Sequence, residues 1–171
     1  VGVFMDQPLE EVSATALAVE LDVVQLHGAE DAKFVEELQK LLPDTWLIKV
    51  VHLPPKTSAK NGEGQLAQLK EKLSSYTSCD AILLDTAVKG SNSGGTGAAF
   101  DWNVAKHCQE EWGIPVIVAG GLTDANVAEL VSSVRPFGVD VASGVEDAPG
   151  VKNSEKTNGY VREAKRARFG A

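Results

Sequence analysis

Short apolar runs alternate along the chain with stretches in which apolar residues recur every three or four positions. Val1-Gly2-Val3-Phe4-Met5 reads as a strand, Pro8 stands where a helix begins, and Val12, Ala16, Leu17 and Val19 to Leu21 give that helix its buried face. The cycle repeats. Asp22 to Gly28 is a strand and its exit; Phe34, Val35, Leu38, Leu41 and Leu42 keep helical spacing until Pro43-Asp44 stops them. Trp46 to Val51 is the third strand, followed by a long exit from Leu53 to Gly64 that we expect to be mobile and exposed, then a helix from about Gln65 to Ser75. Asp80 to Thr86, Ile114 to Ala119 and Gly138 to Ala142 are further strands, with helices predicted over Asp101–Glu111, from Thr123 onward and over Ser154–Arg168.

Six strand-then-helix units predict a parallel sheet with crossover helices, open or closed into a barrel. The strands are apolar almost throughout, as sheets covered by helices are. Both architectures collect function at the C-terminal ends of their strands. Those exits carry Gln25 and His27, Lys49 and His52, Asp85, Gly120-Gly121, and Asp140 with Ser143-Gly144. The Asp80–Thr86 run is the most telling: a buried strand has no structural need for Asp85, and Ser93 to Gly97 then lets backbone N–H groups approach an anion closely. Other readings exist for each: a capped strand end for Asp85 or Asp140, a turn histidine for His27, a snorkelling side chain for Lys49.

Composition narrows the class. The 171 residues, 43% of them apolar, suffice for one domain with a real core, and no run approaches a membrane span or a signal peptide. The formal charge of −8 argues against nucleic acid as a partner. Arg162, Lys165, Arg166 and Arg168 read as the solvated face and dipole complement of a last helix. Cys79 and Cys108 lack metal-ligand spacing and read as free thiols in a reducing, cytoplasmic setting.

Several segments stand together in a fixed order: Val24-Gln25-Leu26-His27-Gly28, Leu83-Leu84-Asp85-Thr86, Gly94-Gly95-Thr96-Gly97 with Phe100-Asp101-Trp102, Ala119-Gly120-Gly121-Leu122, Arg135-Pro136, and Val139-Asp140-Val141-Ala142-Ser143-Gly144-Val145-Glu146. This pattern resembles the phosphoribosylanthranilate isomerases of tryptophan biosynthesis over essentially the whole chain. The resemblance implies a parallel (β/α) TIM barrel and an Amadori rearrangement of N-(5-phosphoribosyl)anthranilate, a small phosphorylated substrate, with no metal or redox cofactor, no nucleic acid and no membrane. It also implies roles. Asp85 is the general acid that protonates the ring oxygen, a task that burial at the strand mouth favours by keeping its proton on. Gln25 and His27 lie near the anthranilate end, Asp140 near the sugar hydroxyls, and Gly95, Thr96, Gly97, Gly120, Gly121, Ser143 and Gly144 hold the phosphate through backbone N–H groups.

The departures are equally specific. A barrel of eight units typically runs to about 250 residues, and this chain matches the family from its third strand onward, so residues 1–171 are expected to be one barrel domain, incomplete at its N-terminus, with six of the eight units. The family's catalytic cysteine, its general base, has no counterpart: Cys79 precedes a strand and Cys108 lies on a helix. The isolated chain is therefore expected to be nearly inactive, and a domain fused behind other tryptophan-pathway enzymes would suit such a sequence. The alternative is a non-catalytic partial barrel that binds phosphate or self-associates through its open edges. An indole-glycerol-phosphate synthase, which uses strand-exit lysines, would have only Lys49 to offer.

Overall fold

The computed structural model describes residues 1–56, 63–86 and 99–170. Their order is β1 (Gly2–Phe4), α1 (Leu9–Ala18), β2 (Val23–Leu26), α2 (Ala32–Leu41), β3 (Trp46–Leu53), α3 (Glu63–Ser74), β4 (Ala81–Thr86), α4 (Trp102–Trp112), β5 (Val116–Val118), α5 (Val127–Val134) and β6 (Gly138–Val139). A short 3-10 turn (Ser143–Val145), the strands β7 (Glu146–Ala148) and β8 (Val151–Lys152), and α6 (Ser154–Phe169) complete it. The strands β1 to β6 follow one another in sheet order as well as in sequence, so the fold is a parallel α/β fold with a six-stranded sheet. No helix among the described residues is long and apolar enough to cross a membrane.

The chain divides into two compact units, Val1–Val51 with Ala59–Leu83, and His52–Ser58 with Leu84–Ala171. In the first, β1 pairs in parallel with β2 and β2 with β3, in the registers Phe4 opposite Leu26 and Leu26 opposite Lys49. Alternate residues of β2, Val24 and Leu26, are fully buried, and so are Val12 of α1 and Val35 and Leu38 of α2. Val12, Ala16, Val35, Leu38 and Leu42 are buried as the helical spacing called for, but Leu17, Val19 and Leu41, also assigned to the buried faces, are exposed. Asp31 caps α2 by accepting the Phe34 N–H at 2.8 Å.

In the second unit β5 pairs in parallel with β6, and the Ala119 N–H donates to the Leu84 carbonyl of β4 at 2.8 Å. Val116 and Val118 of β5 and Val127, Leu130 and Val131 of α5 are all buried in its core. Asp101 caps α4 as expected, accepting the Asn103 N–H at 3.3 Å, and the helix ends on Gly113 at φ 64°. Arg162, Lys165, Arg166 and Arg168 of α6 are exposed, with Arg166 and Arg168 in its last turn.

Several elements differ from expectation. β5 begins at Val116 rather than Ile114, because Pro115 has no N–H to give a ladder. β6 ends at Val139 instead of running to Ala142. Its neighbour β5 leads into Gly120 and Gly121, at φ 80° and 67°, so no extended partner exists beyond Asp140, whose N–H makes a last bond to Val118 O at 2.9 Å. The antiparallel pair β7–β8 was not foreseen, although Pro149-Gly150 is a turn signal and Gly150 sits at φ 79°. Of the long exit after β3, residues 57–62 lie outside the described residues, and α3 starts at Glu63, two residues before the expected position.

Candidate active site

The first unit presents the exit of β2. Gln25 and His27, both half-buried, lie on the same side of the strand, with the Gln25 amide nitrogen 3.3 Å from His27 Nδ1. When that amide donates, Nδ1 must be the acceptor, which leaves the neutral ring's proton on Nε2. The His27 N–H donates to Phe4 O at 2.7 Å. Beyond it the chain comes so close to Asp6 that a Cβ on Gly28 would overlap the Asp6 carboxylate and N–H. That contact is held by the Ala29 N–H, which donates to Asp6 Oδ1 at 2.6 Å.

Lys49, read from the sequence as a strand-exit group or a snorkelling side chain, is buried instead. Its side chain is 2% exposed and forms an ion pair of 2.7 Å with Glu30, 3% exposed. It cannot snorkel, and it is not available as a strand-exit catalytic lysine, which removes the synthase reading. Glu30 was not singled out from sequence; the available signal was a lone lysine in the apolar run Trp46–Val51, which demands a buried anion nearby. Glu30 Oε1 accepts the Asp6 N–H at 2.9 Å, and its carbonyl accepts the Tyr76 hydroxyl at 3.0 Å.

The second unit carries Asp85, His52, Gly120, Gly121, Asp140, Ser143 and Gly144. Asp85 is half-buried at the end of β4, and its Oδ1 accepts the Thr86 N–H at 2.7 Å. Thr86, itself buried, accepts the Phe100 N–H on its hydroxyl at 3.1 Å, which anchors the strand end to the start of α4. A ring nitrogen of the exposed His52 lies within 4.8 Å of an Asp85 carboxylate oxygen. Gly120 presses on the same place. A Cβ there would stand 2.5 Å from the Thr86 nitrogen and hydroxyl and 2.6 Å from Asp85 Oδ1. Only glycine allows this approach, since φ is 80° as well.

Next to it, the Gly121 carbonyl accepts the Asn126 side-chain amide at 2.9 Å, while Asn126 Oδ1 accepts the Thr123 N–H at 2.9 Å. The 3-10 turn Ser143–Val145 abuts this segment so closely that a Cβ on Gly144 would overlap the Leu122 carbonyl. Two expected phosphate segments therefore meet as bare backbone. The turn is braced by lysines that sequence reading passed over: Lys152 donates to Ala142 O at 2.8 Å and Glu146 at 2.7 Å, and Lys156 to Glu146 O at 2.7 Å and Asp147 at 2.8 Å. Hydrogen bonds from these lysines hold the Glu146 and Asp147 carboxyls below the usual carboxylate range. Asp140 is exposed beside β5, while Gly95, Thr96 and Gly97 lie outside the described residues.

Residues 1–163 match the family model described as N-(5'phosphoribosyl)anthranilate (PRA) isomerase. The chain belongs to that family. It is 39% identical over 168 residues to an N-(5'-phosphoribosyl)anthranilate isomerase of Methanopyrus kandleri, covering 96% of this chain and 72% of that protein. A tryptophan biosynthesis protein of Phytophthora nicotianae is 40% identical over 169 residues, but this chain spans only 30% of its length. The crystal structure of phosphoribosyl anthranilate isomerase from Thermotoga maritima is similar at TM-score 0.75 and 30% identity, over 96% of this chain and 71% of that one. Another isomerase crystal structure, at TM-score 0.70 and 30% identity, holds reduced 1-(o-carboxyphenylamino)-1-deoxyribulose 5-phosphate. As a PRA isomerase chain, this one carries its polar groups where a parallel α/β fold places a site, at the C-terminal ends of the strands.

Proposed function

We propose that the chain carries the acid and the phosphate-binding part of a PRA isomerase site, within a (β/α) barrel of which residues 1–171 make six of eight units. The observation that carries this is the cluster at Asp85, where the half-buried carboxylate, Gly120 and the Gly144 turn are joined through close backbone contacts. A phosphate docked on the N–H groups of Gly120-Gly121 and Ser143-Gly144, with Gly95 to Gly97, fixes the sugar by its 5-position and needs no cation of its own. Asp140 takes the sugar hydroxyls, and Gln25 and His27 the anthranilate end.

The reaction is then two proton movements with no net gain or loss of atoms. Asp85 gives its proton to the furanose ring oxygen as the bond from C1 to that oxygen breaks, and the nitrogen lone pair closes a C1=N Schiff base. A base takes the C2 proton, and the resulting enolamine tautomerises to the aminoketose as the C2 hydroxyl loses a proton and C1 gains one. Neither cysteine of this chain is suited to be that base. Burial pushes both thiols up to about 12, and the thiolate is the active form. The base belongs to the share of the barrel that the relatives have beyond this match. A multifunctional tryptophan biosynthesis protein of Phycomyces blakesleeanus, 35% identical over 176 residues and spanned by this chain over 21% of its length, supports a protein that carries further pathway domains.

The test is turnover by the protein expressed from its full coding sequence, with substrate generated in place and followed by loss of its anthranilate fluorescence. Loss well above the spontaneous rate is expected. A rate equal to the spontaneous one contradicts the reading.

A further inference from the structure

Among the described residues, the mechanism leaves the buried charged pair Lys49 and Glu30 unused. Lys49 has three donor hydrogens and three partners: Leu26 O at 3.2 Å, Gly28 O at 2.6 Å and Glu30 Oε2 at 2.7 Å. The two carbonyls belong to the residues immediately before and after His27. One ammonium group therefore fixes the Leu26–His27 and Gly28–Ala29 peptides, one on either side of the His27–Gly28 peptide, while the His27 N–H is held by Phe4 O at 2.7 Å. The anion of the pair is held in turn: Glu30 Oε1 takes the Asp6 N–H, and Asp6 takes the Ala29 N–H. Lys49 thus holds the Leu26 and Gly28 carbonyls and the Glu30 carboxylate directly, while Phe4 O and Asp6 hold the His27 and Ala29 N–H groups.

Stability alone does not call for this arrangement. A buried ion pair gains little over well-packed apolar residues of similar volume, and β3 is otherwise apolar from Leu47 to Val51. What an apolar residue could not do is bind two carbonyls at once. We propose that Lys49 is a positioning residue for His27: with Glu30 it sets the backbone around His27 and so the placement of the ring that receives the anthranilate end of the substrate. This rests on the reading of His27 given above.

Lys49→Met alone would bury Glu30 without a partner, so the informative variant is Lys49→Met with Glu30→Gln. It removes both charges and keeps an oxygen for the Asp6 N–H. In the full protein two quantities are measured: KM and kcat for N-(5-phosphoribosyl)anthranilate, and amide hydrogen exchange at His27, Gly28 and Ala29 by NMR. The expected result is a KM raised about tenfold or more with a smaller change in kcat, faster exchange at those three amides, and unchanged exchange in α1 and α2. Wild-type KM, or wild-type exchange at His27, overturns the proposal. So does a kcat and KM loss matched by loosening of the whole unit, which would mark a purely structural pair. If the unmutated protein shows no turnover, the functional reading fails separately, and the exchange at His27 still decides whether Lys49 holds it.

Discussion

Gly120→Ala tests the geometry of the acid most sharply, because Gly113→Ala provides its control. Both glycines have left-handed backbone, φ 80° and 64°, and an alanine there costs about 1–2 kcal/mol. Alanine also reduces the freedom of the unfolded chain by an amount that is the same at both sites and cancels in the comparison. The surroundings differ. A Cβ on Gly113 meets nothing within 4 Å, whereas on Gly120 it stands 2.5 Å from Thr86 N and 2.6 Å from Asp85 Oδ1. Relieving such overlap costs about 1–3 kcal/mol, so Gly120→Ala should lose that much more stability than Gly113→Ala in urea unfolding. The atoms that must yield belong to the acid and its strand end, and a misplacement of about 1 Å costs on the order of a hundredfold in rate. Gly120→Ala is therefore expected to lower kcat/KM by about that factor while Gly113→Ala leaves it near wild type. Equal urea midpoints for the two variants, with kcat/KM unchanged in Gly120→Ala, would refute the reasoning.

Further outcomes follow from particular contacts. Gly144→Ala would overlap the Leu122 carbonyl, so the 3-10 turn must withdraw. The dissociation constant for the reduced product analogue, measured by calorimetry, should rise about tenfold or more, or about 1.4 kcal/mol. Cys108 is fully buried, and its thiol is pushed by burial from 9.0 up to about 12. In the unfolded chain it ionises first, so the stability from keeping it protonated is intact below pH 9 and falls as pH rises from about 9 towards 12. By pH 10 the loss is about 1.4 kcal/mol, and Cys108→Ala should flatten that part of the urea stability profile. In the native protein at pH 8, Cys108 should also resist alkylation by iodoacetamide, while the unfolded protein reacts fully.

Much of this was legible in the sequence, for definite physical reasons. Strands such as Asp80–Thr86 announce themselves because residues covered by helices must be apolar on both faces, and Asp85 stood out as the exception. The turn glycines were legible too, since Gly120 and Gly144 occupy places where a side chain would strike backbone. What was not legible depends on partners distant in sequence. Lys49 reads as a surface residue until its partner 19 positions earlier is known. The end of β6 was misjudged because Val139-Asp140-Val141-Ala142 has strand composition, and only the left-handed turn at Gly120-Gly121 removes its neighbour. Glu146 to Lys152 forms a hairpin too short to leave a period.

The central claim is that Asp85 is the acid of the isomerisation. It is tested most directly by comparing Asp85→Asn with wild type in the full protein, measuring both turnover and binding of the reduced product analogue. Asparagine keeps the shape but has no acidic proton to give. A fall in kcat of about 10²-fold or more, with analogue binding within a few-fold of wild type, is the result expected of a lost general acid. Turnover by Asp85→Asn at the wild-type rate would contradict the account.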